Sequence, residues 1–549
     1  MHTHTPRPWL ATYKAFGIPA EVPPPEHTSA LALLESAMRT FAQRPAFHSF
    51  GQMLTFADVD RLSRHFAAWL QAQGVQRGDR VAVMTPNILA FPVAMLGILR
   101  AGAVQVNVNP LYTPRELELQ LNDAGVETIV IYNGASATLG EVLPRTCVRR
   151  VVTAGLALQA DSPLPSPPVD TRLTGAVAMP DTLAQGADLP WTPVPLGPED
   201  LLFLQYTGGT TGQSKGAAIS HGNLLANCAQ FKLFIPDAQR PGQEVLVTAI
   251  PLYHIFALMV NFITYFSLGA ENWLVANPRD MDSFITTLRE ARPTIMTGVN
   301  TLFAGLTMHP GMTTVDWSRL RLTAGGGAAI IPAVSARWQE LTGHFIHEGY
   351  GLSEASPIAA FNPAAVTGFN GTTGLPMPSS DIKLLAEDGQ EVALGEAGEI
   401  CIKGPQVMRG YWQNPDANAL AFTDDCYFRT GDVGVFDAQG YLRIVDRKKD
   451  MILVSGFNVY PNEVEAVASA CPGVAECASI GLPDPRSGEK VALYVVRQPG
   501  SQLSAAQLEA HCRAGLAAYK VPSLIEFVDA LPKSTVGKIL RRALRPAPA

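Results

Sequence analysis

Cysteine is scarce in this 549-residue sequence: there are seven, and none of them forms a Cys-x-x-Cys pair. Such an odd, scattered set favours free thiols in a reducing compartment over disulfides or a zinc site. Basic residues are also outnumbered, 41 against 48 acidic ones, so the formal net charge is −7. Because no broad basic excess is present to neutralise phosphates, the composition argues against nucleic acid as a partner.

Long hydrophobic runs are missing as well. The longest apolar stretch, 255–270, contains Asn261 and is shorter than the roughly 20 residues that span a bilayer, so it predicts a buried core helix. The N-terminal residues lack the apolar centre of a signal peptide. We therefore expect a cytoplasmic protein, and peripheral contact with the inner membrane and self-association stay open.

What the sequence does contain is a globular balance of 47% hydrophobic and 16% charged residues, in which short apolar runs alternate with helix-like segments. This alternation predicts an α/β fold with a mainly parallel sheet covered by helices on both faces. The segments that carry it are 80–84, 91–100, 103–108, 114–124 and 127–132. Residues 159–198 are rich in Pro, Ala, Gly and Ser and predict a surface linker between two subdomains.

Charge divides the chain near residue 447. Residues 447–549 carry 13 Lys and Arg against 9 Asp and Glu, a net charge of +4, whereas the remaining residues carry 28 against 39, a net charge of −11. A small basic unit attached to a larger acidic one predicts two domains, 1–446 and 447–549. The charged run 446–450 between them is a candidate hinge, although a solvated turn has the same composition.

A glycine-rich loop, 206–216, follows the apolar strand-like run 201–205. Small residues let backbone N–H groups approach an anion, hydroxyls add donors and a lysine adds charge, which together favour a polyphosphate site. Neither the P-loop spacing nor the dinucleotide fingerprint is present, and the flanking strands argue against a flexible linker. The candidate phosphate ligands are Thr207, Gly208, Gly209, Thr210, Thr211, Gly212 and Lys215.

Further along the chain, the segment 348–354 favours the same kind of site. Tyr350 offers an aromatic ring to a base, Ser353 a hydroxyl to a phosphate, and Glu354 a carboxylate to Mg²⁺, which binds few protein oxygens and keeps substrate phosphates. A glycine triplet precedes it and permits close approach of a ligand to the backbone, although a helix-entry turn has the same pattern. The triplet consists of Gly325, Gly326 and Gly327.

Two charged residues extend this pattern toward the C-terminus. Asp432 follows Thr-Gly on a tight turn, where it either accepts hydrogen bonds from ribose hydroxyls or merely forms the turn. Lys538 follows Val-Gly in a loop that begins at Pro532. A mobile lysine there suits a developing phosphate transition state, whereas the plainer interpretation is a basic tail that keeps the end soluble.

These motifs resemble, in the same order and over nearly the whole chain, those of the adenylate-forming (ANL) superfamily, which includes acyl-CoA synthetases, peptide-synthetase adenylation domains and luciferases. Within it, the runs 251–258, 298–303 and 446–465 look like bacterial long-chain-fatty-acid–CoA ligases. The resemblance implies a large N-terminal domain of helix-covered β-sheets and a small, mobile α+β C-terminal domain. It also implies ATP, Mg²⁺ and CoA as cosubstrates or cofactors. Ser353 stands where the superfamily usually has Thr.

The resemblance also implies roles for individual residues. Lys538, Glu354 and Lys215 would be catalytic, and Glu354 would hold the metal. Lys449 would be the pivot of the small domain. We expect Arg541 and Arg542, which follow the lysine motif, to face solvent or CoA phosphates. The remaining implied ATP contacts are the glycine triplet, Tyr350, Gly351, Ser353, Asp432 and Arg447, and the implied acyl and CoA contacts are His254, Val299, Asn300 and Gly456.

The implied reaction has two steps. A fatty carboxylate, with a reference pKa of about 4, is ionised at neutral pH and needs no general base. It attacks the ATP α-phosphorus, pyrophosphate leaves, and the thiol of CoA then displaces AMP from the acyl-adenylate. Ligases for medium-chain or aryl acids and acyl-AMP ligases that stop after the first step are the alternatives within the superfamily, and a non-catalytic acyl or nucleotide sensor is the alternative from another class.

Overall fold

The computed structural model describes residues 7–158, 162, 164–207, 214–455, 457–534 and 537–545. The strands within these ranges form four β-sheets. The first has seven strands and is parallel except for its last pair, which is antiparallel. In spatial order its strands are Val177–Ala178, Arg150–Ala154, Thr128–Tyr132, Arg80–Met84, Val104–Asn107, Leu201–Thr207 and Lys215–Ser220.

The second sheet has nine strands, parallel in its centre and antiparallel at both edges. Because carboxyl ends of parallel strands meet at one edge, the residues that end its central strands lie side by side. In spatial order the strands are Leu375–Pro376, Ile358–Phe361, His347–Gly351, Leu322–Gly325, Ile295–Gly298, Val245–Thr248, Glu271–Leu274, Pro45–Ser49 and Gln52–Thr55.

Two smaller sheets follow along the chain. The third is antiparallel, with the strands Asp381–Leu385, Gly398–Lys403, Phe428–Phe436 and Leu442–Arg447. The fourth lies wholly after residue 450 and has its own hydrophobic cluster around Val464, Leu493 and Leu508. Its strands are Phe457–Val459, Ile452–Val454, Gly488–Arg497, Val474–Asp484 and Leu524–Phe527.

Helices cover the first two sheets and one face of the fourth. Several begin with a capping box; at Ser220 the hydroxyl accepts from the backbone N–H of Asn223, whose side chain accepts from the Ser220 N–H in return. The α-helices are Trp9–Phe16, Ala30–Thr40, Phe56–Ala72, Ala90–Arg100, Pro114–Ala124, Ser136–Val142, Met179–Ala187, His221–Phe234, Ile255–Ala257, Tyr265–Ser267, Met281–Ala291, Asn300–Met308, Pro332–Thr342, Pro415–Ala421, Pro461–Ser469 and Ala505–Gly515.

The α/β architecture with a large N-terminal and a smaller C-terminal domain is confirmed. The apolar stretch 255–270 is a buried helix, as predicted, with a π-helical centre at Leu258–Thr264. The linker prediction for 159–198 is wrong in part, because Met179–Ala187 is a helix whose Gln185 accepts a hydrogen bond from the Trp69 indole at 3.1 Å. The helix buries Met179 and Leu183, but the small residues around them make this apolar face difficult to recognise in the sequence.

Candidate active site

The glycine triplet lies at the carboxyl edge of the second sheet, where backbones approach closely. Gly298 and Gly325 are paired across neighbouring strands, and the N–H of Gly326 donates to the Gly298 carbonyl at 3.2 Å. A Cβ added at Gly326 would come within 3.1 Å of the Gly349 carbonyl oxygen. Gly327 adopts φ +77°, the left-handed region that glycine tolerates best. The triplet therefore forms a flat backbone surface that a side chain would obstruct.

Two polar side chains hold the turn that follows this triplet. The Asn300 side-chain oxygen accepts from the N–H of Ile331 at 2.9 Å, and the Glu348 carboxyl accepts from the N–H of Ile330 at 3.3 Å. Burial raises the pKa of Glu348 to about 8, so the group is a neutral acid at pH 7. Asn300, an implied acyl contact, is thus positioned to fix the turn.

Asp432 joins the second and third sheets through its carboxylate. The Tyr350 hydroxyl donates to one oxygen at 2.6 Å, and Nε of Arg447 lies 3.2 Å from the other. Asp432 and Arg447 are register partners on adjacent strands, so the pair is set by the sheet. Burial, followed by the charge of Asp432, raises the pKa of Tyr350 well above its ordinary value, which keeps the phenol a donor.

Glu354 is buried in a short 3₁₀ turn and reaches Tyr411, a residue the sequence did not single out. The Tyr411 hydroxyl donates to Glu354 Oε1 at 2.9 Å, and Lys215 Nζ lies 5.2 Å from the Tyr411 ring centroid. The N–H of Trp412 donates to the Gly216 carbonyl at 2.8 Å, which ties this segment to the end of the glycine-rich loop. Tyr411 thereby links the candidate metal ligand to the candidate phosphate lysine.

Lys538 lies on a loop of the small domain that contacts the large domain. The loop closes on itself, since the N–H of Ser534 donates to the Lys538 carbonyl at 2.7 Å and the N–H of Lys538 donates to Ser534 Oγ at 3.1 Å. The Thr301 hydroxyl donates to the Gly537 carbonyl at 3.4 Å. A Cβ added at Gly537 would lie 2.4 Å from that hydroxyl, so glycine is needed where the loop meets Thr301.

The charges around Lys538 are mixed. Burial, and then the positive charge of Arg447, lower its pKa to about 8, while Asp432 opposes the shift. His254 lies close enough to respond to Lys538: burial first, and then this lysine, lower the His254 pKa to about 4. The imidazole is therefore neutral at pH 7, and its Nδ1 accepts from the N–H of Phe256 at 3.3 Å.

Several predicted site residues lie beside these groups, and others lie outside the described residues. Val299 is near the glycine triplet and the lysine loop, with methyl carbons 3.6 and 3.5 Å from the Cβ positions that Gly327 and Gly537 would have. Thr207 ends its strand, and its carbonyl accepts from Ser214 Oγ at 2.6 Å. Ser353 opens the 3₁₀ turn of Glu354. The predictions that fall outside the described residues concern Gly208, Gly209, Thr210, Thr211, Gly212 and Gly456.

Arg541 departs from its expected solvent-facing position. Its side chain is only 16% exposed, lies among carboxylates and makes a bidentate contact with Glu465, at 2.9 and 2.7 Å. Lys449, the implied pivot, lies in the turn that joins the third sheet to the fourth, and is exposed. A basic C-terminal motif looks solvated from sequence because its acidic partners lie far away along the chain.

Two kinds of feature are not found in the described part of the chain. No helix there is long and apolar enough to cross a membrane. Over the same residues, no group of three or more His, Cys, Asp and Glu side chains is arranged to hold a metal ion by itself. A lone Glu354 nevertheless fits Mg²⁺, because this ion commonly takes one or two protein carboxylates and completes its shell with substrate phosphates and water.

Two parts of the chain match known protein families. Residues 34–412 match the family described as AMP-binding enzyme, and residues 463–538 match the AMP-binding enzyme C-terminal domain. The chain belongs to this AMP-binding enzyme family. Both matches include the residues described above, with Tyr350, Glu354 and Tyr411 in the first and Lys538 as the last residue of the second.

Relatives of known name match nearly the whole chain. A long-chain-fatty-acid–CoA ligase of Escherichia coli O6:H1 is 46% identical over 98% of this chain and 97% of its own length. A feruloyl-CoA synthase of an Amycolatopsis species is 35% identical over 90% of this chain and 94% of its own length.

Solved structures give the same arrangement. The anthranilate CoA ligase AuaEII, in complex with anthranoyl-AMP, has a TM-score of 0.85 at 26% identity, covering 95% of this chain and 97% of its own. ATP-bound MatB of Rhodopseudomonas palustris has a TM-score of 0.82 at 30% identity, with coverages of 94% and 98%. Apo MatB, at the same identity and coverage, has a TM-score of 0.73. The arrangement of this chain is therefore closer to the ATP-bound than to the apo form.

The pKa of Lys538 leads to a first prediction. A lysine at this position that screens phosphate has to be charged, so with Lys538 in that role adenylation kcat/KM should fall as pH rises through about 8 in the free enzyme. Lys538→Arg should move this limb to higher pH, and Lys538→Ala should cost about a hundredfold or more in adenylation while sparing most ATP binding. The measurement is pyrophosphate release between pH 6.5 and 9.5.

Lys533 of the same loop provides the control, since its Nζ pairs with Glu476 on the surface. Lys533→Ala should leave both the rate and the pH profile unchanged. An alkaline limb that persists unshifted in Lys538→Arg would mean that another group titrates there.

Glu348 leads to a second prediction, on stability. Its folded-state pKa of about 8 lies above the ordinary 4.5, so the native state holds a proton that the unfolded chain has released between these values. Stability should therefore decline as pH rises from 4.5 to 8, with a contribution of at most ~1.4 kcal/mol per pH unit. Glu348→Gln, which keeps the acceptor for Ile330, should flatten this decline.

Thermal unfolding midpoints of the two proteins between pH 5 and 8.5 provide the test. The unfolding midpoint of Glu348→Gln, relative to that of the parent protein, should rise steadily as the pH approaches 8. Parallel curves would show that Glu348 does not carry a raised pKa.

Proposed function

We propose that this chain is a long-chain-fatty-acid–CoA ligase that acts in the cytoplasm. It would activate a fatty acid with ATP to acyl-AMP, releasing pyrophosphate, and then transfer the acyl group to CoA with release of AMP. The observation that carries the proposal is the entry of Lys538 from the small domain beside the cluster of Tyr350, Asp432 and Arg447. The 46% identity to long-chain-fatty-acid–CoA ligases supports the substrate class.

In the first half-reaction, the protein positions two anions and screens the charge that develops between them. Tyr350 would pack on the adenine, while the Asp432 carboxylate would accept hydrogen bonds from ribose hydroxyls beside Arg447. Lys215 and the glycine-rich loop would hold the phosphates. Lys538 would lie between the fatty carboxylate and the α-phosphate, where it favours attack by neutralising both reactants.

Glu354 would hold Mg²⁺ against the nucleotide phosphates. The ion supplies charge neutralisation on the phosphate oxygens when it is bound. Tyr411 orients the carboxylate by its 2.9 Å hydrogen bond, and burial raises the pKa of Glu354. A nearby cation therefore favours the ionised form of this buried group.

The acyl chain would leave the glycine triplet toward His254 and Val299. Because the imidazole of His254 is neutral, an apolar acyl chain can pack against it without burying a charge. Asn300 would contribute indirectly, through its hydrogen bond to the turn after the triplet.

For the second half-reaction, the small domain 447–549 would rotate against 1–446 about Lys449. The rotation would withdraw Lys538 and bring the segment around Gly456 to line the pantetheine channel. The thiol of CoA then attacks the acyl carbon, and AMP leaves. The proposed reaction needs no cysteine nucleophile, and burial raises the pKa of Cys477 to about 12 and that of Cys512 to about 11.

The substrate class leads to a third prediction. For fatty acids of increasing length, kcat/KM should rise by about fourfold per CH₂ until the pocket is filled, since burying a CH₂ gains ~0.8 kcal/mol. Acyl-CoA and pyrophosphate should form together for each acid. The assay runs straight-chain acids beside ferulate and benzoate, with and without CoA.

Preference for ferulate or benzoate would replace the proposal with an aryl acid–CoA ligase, in line with the feruloyl-CoA synthase relative. Multiple turnovers to free adenylate without CoA would indicate an acyl-AMP ligase. Tight nucleotide binding with no turnover of any acid would indicate a sensor.

The pivot leads to a fourth prediction. Lys449→Pro fixes φ in the connecting turn, so acyl-AMP formation should stay within about twofold while thioester formation slows by about a hundredfold. Lys449→Ala removes the same charge and leaves the backbone free, and should retain both rates. Rapid-quench measurement of each half-reaction separates them. Equal slowing of both half-reactions by Lys449→Pro would place the pivot elsewhere.

A further inference from the structure

Arg541 lies three residues after Lys538 and contacts carboxylates on both sides of the proposed pivot. Its bidentate partner Glu465 belongs to the small domain. Its Nη1 also lies 3.1 Å from Asp446 Oδ1, on the last strand of the third sheet, and 3.8 Å from Asp450. One guanidinium therefore spans the connection between the two domains.

Asp446 is held by the small domain on its other oxygen as well. Its side chain is 0% exposed, and Oδ2 accepts from the N–H of Asn462 at 2.8 Å. Asn462 also donates from its side chain to the Val445 carbonyl at 3.0 Å, and its side-chain oxygen accepts from Arg541. Asp446, Asn462 and Arg541 thus form a closed ring of hydrogen bonds across the pivot.

Rotation about Lys449 affects the members of this ring differently. Arg541, Asn462 and Glu465 would move together with the small domain, so the contact between Arg541 and Glu465 would survive. Asp446 precedes the pivot and would stay behind, losing both small-domain partners. Among the described residues, only the N–H of Arg447, 2.7 Å from Asp446 Oδ1, would remain as a partner. A buried carboxylate that loses its cationic partner is unfavourable, so these contacts stabilise the arrangement in which they exist.

That arrangement is also the one that delivers Lys538. Between the two residues, the N–H of Leu540 donates to the Pro532 carbonyl at 2.8 Å, and Ile539 bridges to Lys533. The connection from Arg541 to the lysine loop is therefore short and braced. Fixing the guanidinium against Asp446 fixes where the loop ends and, through Gly537, how it meets Thr301.

We propose that the ion pair between Asp446 and Arg541 is a positioning pair that holds the small domain in the adenylating arrangement and is broken for the thioester half-reaction. Neither residue touches substrate; the pair acts through the placement of Lys538. This inference rests on the proposed function and on the pivot at Lys449. Arg541 then binds a carboxylate of the protein itself, and not a phosphate of CoA.

The test uses Asp446→Asn, which keeps the shape of the side chain and removes its charge, in the full-length enzyme. Single-turnover acyl-AMP formation should slow by about ten- to a hundredfold, the range expected when a reacting group is misplaced by about 1 Å. The KM for ATP should change little. Conversion of separately supplied acyl-AMP and CoA to acyl-CoA should be as fast as in the parent enzyme, or faster.

A double-mutant cycle identifies the pair itself. Arg541→Gln, which also removes the bidentate contact with Glu465, should give the same split between half-reactions. The double variant should be no slower than the slower single variant, because both single variants already lose the ion pair between Asp446 and Arg541. Arg541→Lys keeps the charge, should recover part of the adenylation rate, and serves if Asp446→Asn fails to fold. Arg545→Gln, an exposed arginine four residues further on, is the matched control.

The outcomes distinguish this proposal from those it rests on. Equal slowing of both half-reactions, or additive losses in the double variant, would reduce the pair to a structural role and overturn the proposal. If Lys449→Pro shows the expected split and Asp446→Asn does not, the pivot stands and only the pair is wrong. An enzyme that forms no acyl-AMP from any acid would refute the function itself.

Discussion

The carboxylate of Asp432 is the contact on which the geometry of the cleft depends. Its two oxygens are occupied by Tyr350, from the nine-stranded sheet, and Arg447, from the four-stranded sheet. A buried charge is tolerated only with such partners, so the two sheets are fixed relative to each other at this point. Lys538 of the small domain approaches the same charge. Three parts of the chain are thereby joined around one anion.

Two cationic side chains, Arg447 and Lys538, lie near the Asp432 carboxylate. Burial, and then the positive charge of Arg447, lower the pKa of Lys538 to about 8, and Asp432 offsets only part of this shift. A bound nucleotide would supply negative charge where these cations converge. Cations already oriented by the fold need little reorganisation at the moment of reaction, which is how preorganised charge assists phosphate chemistry.

Sequence patterns predicted the parts of the fold that repeat locally. The apolar runs 80–84 and 127–132 are strands of the seven-stranded sheet, because a buried parallel strand reads as a continuous apolar run. Tyr411 and Thr301 were missed, since their contacts with Glu354 and Gly537 join residues far apart in sequence. The ion pairs of Arg541 were missed for the same reason: no local pattern distinguishes a buried arginine from a solvated one.

In the proposed mechanism, Lys538 would lie beside the α-phosphate in the first half-reaction and would withdraw before the thiol of CoA attacks the acyl carbon. The domain arrangement must therefore be stable enough to place Lys538 and weak enough to be abandoned. A contact within one domain cannot satisfy both demands, since it persists through rotation. A charge pair that spans the proposed pivot, as Asp446 and Arg541 do, would exist in the adenylating arrangement and would separate on rotation.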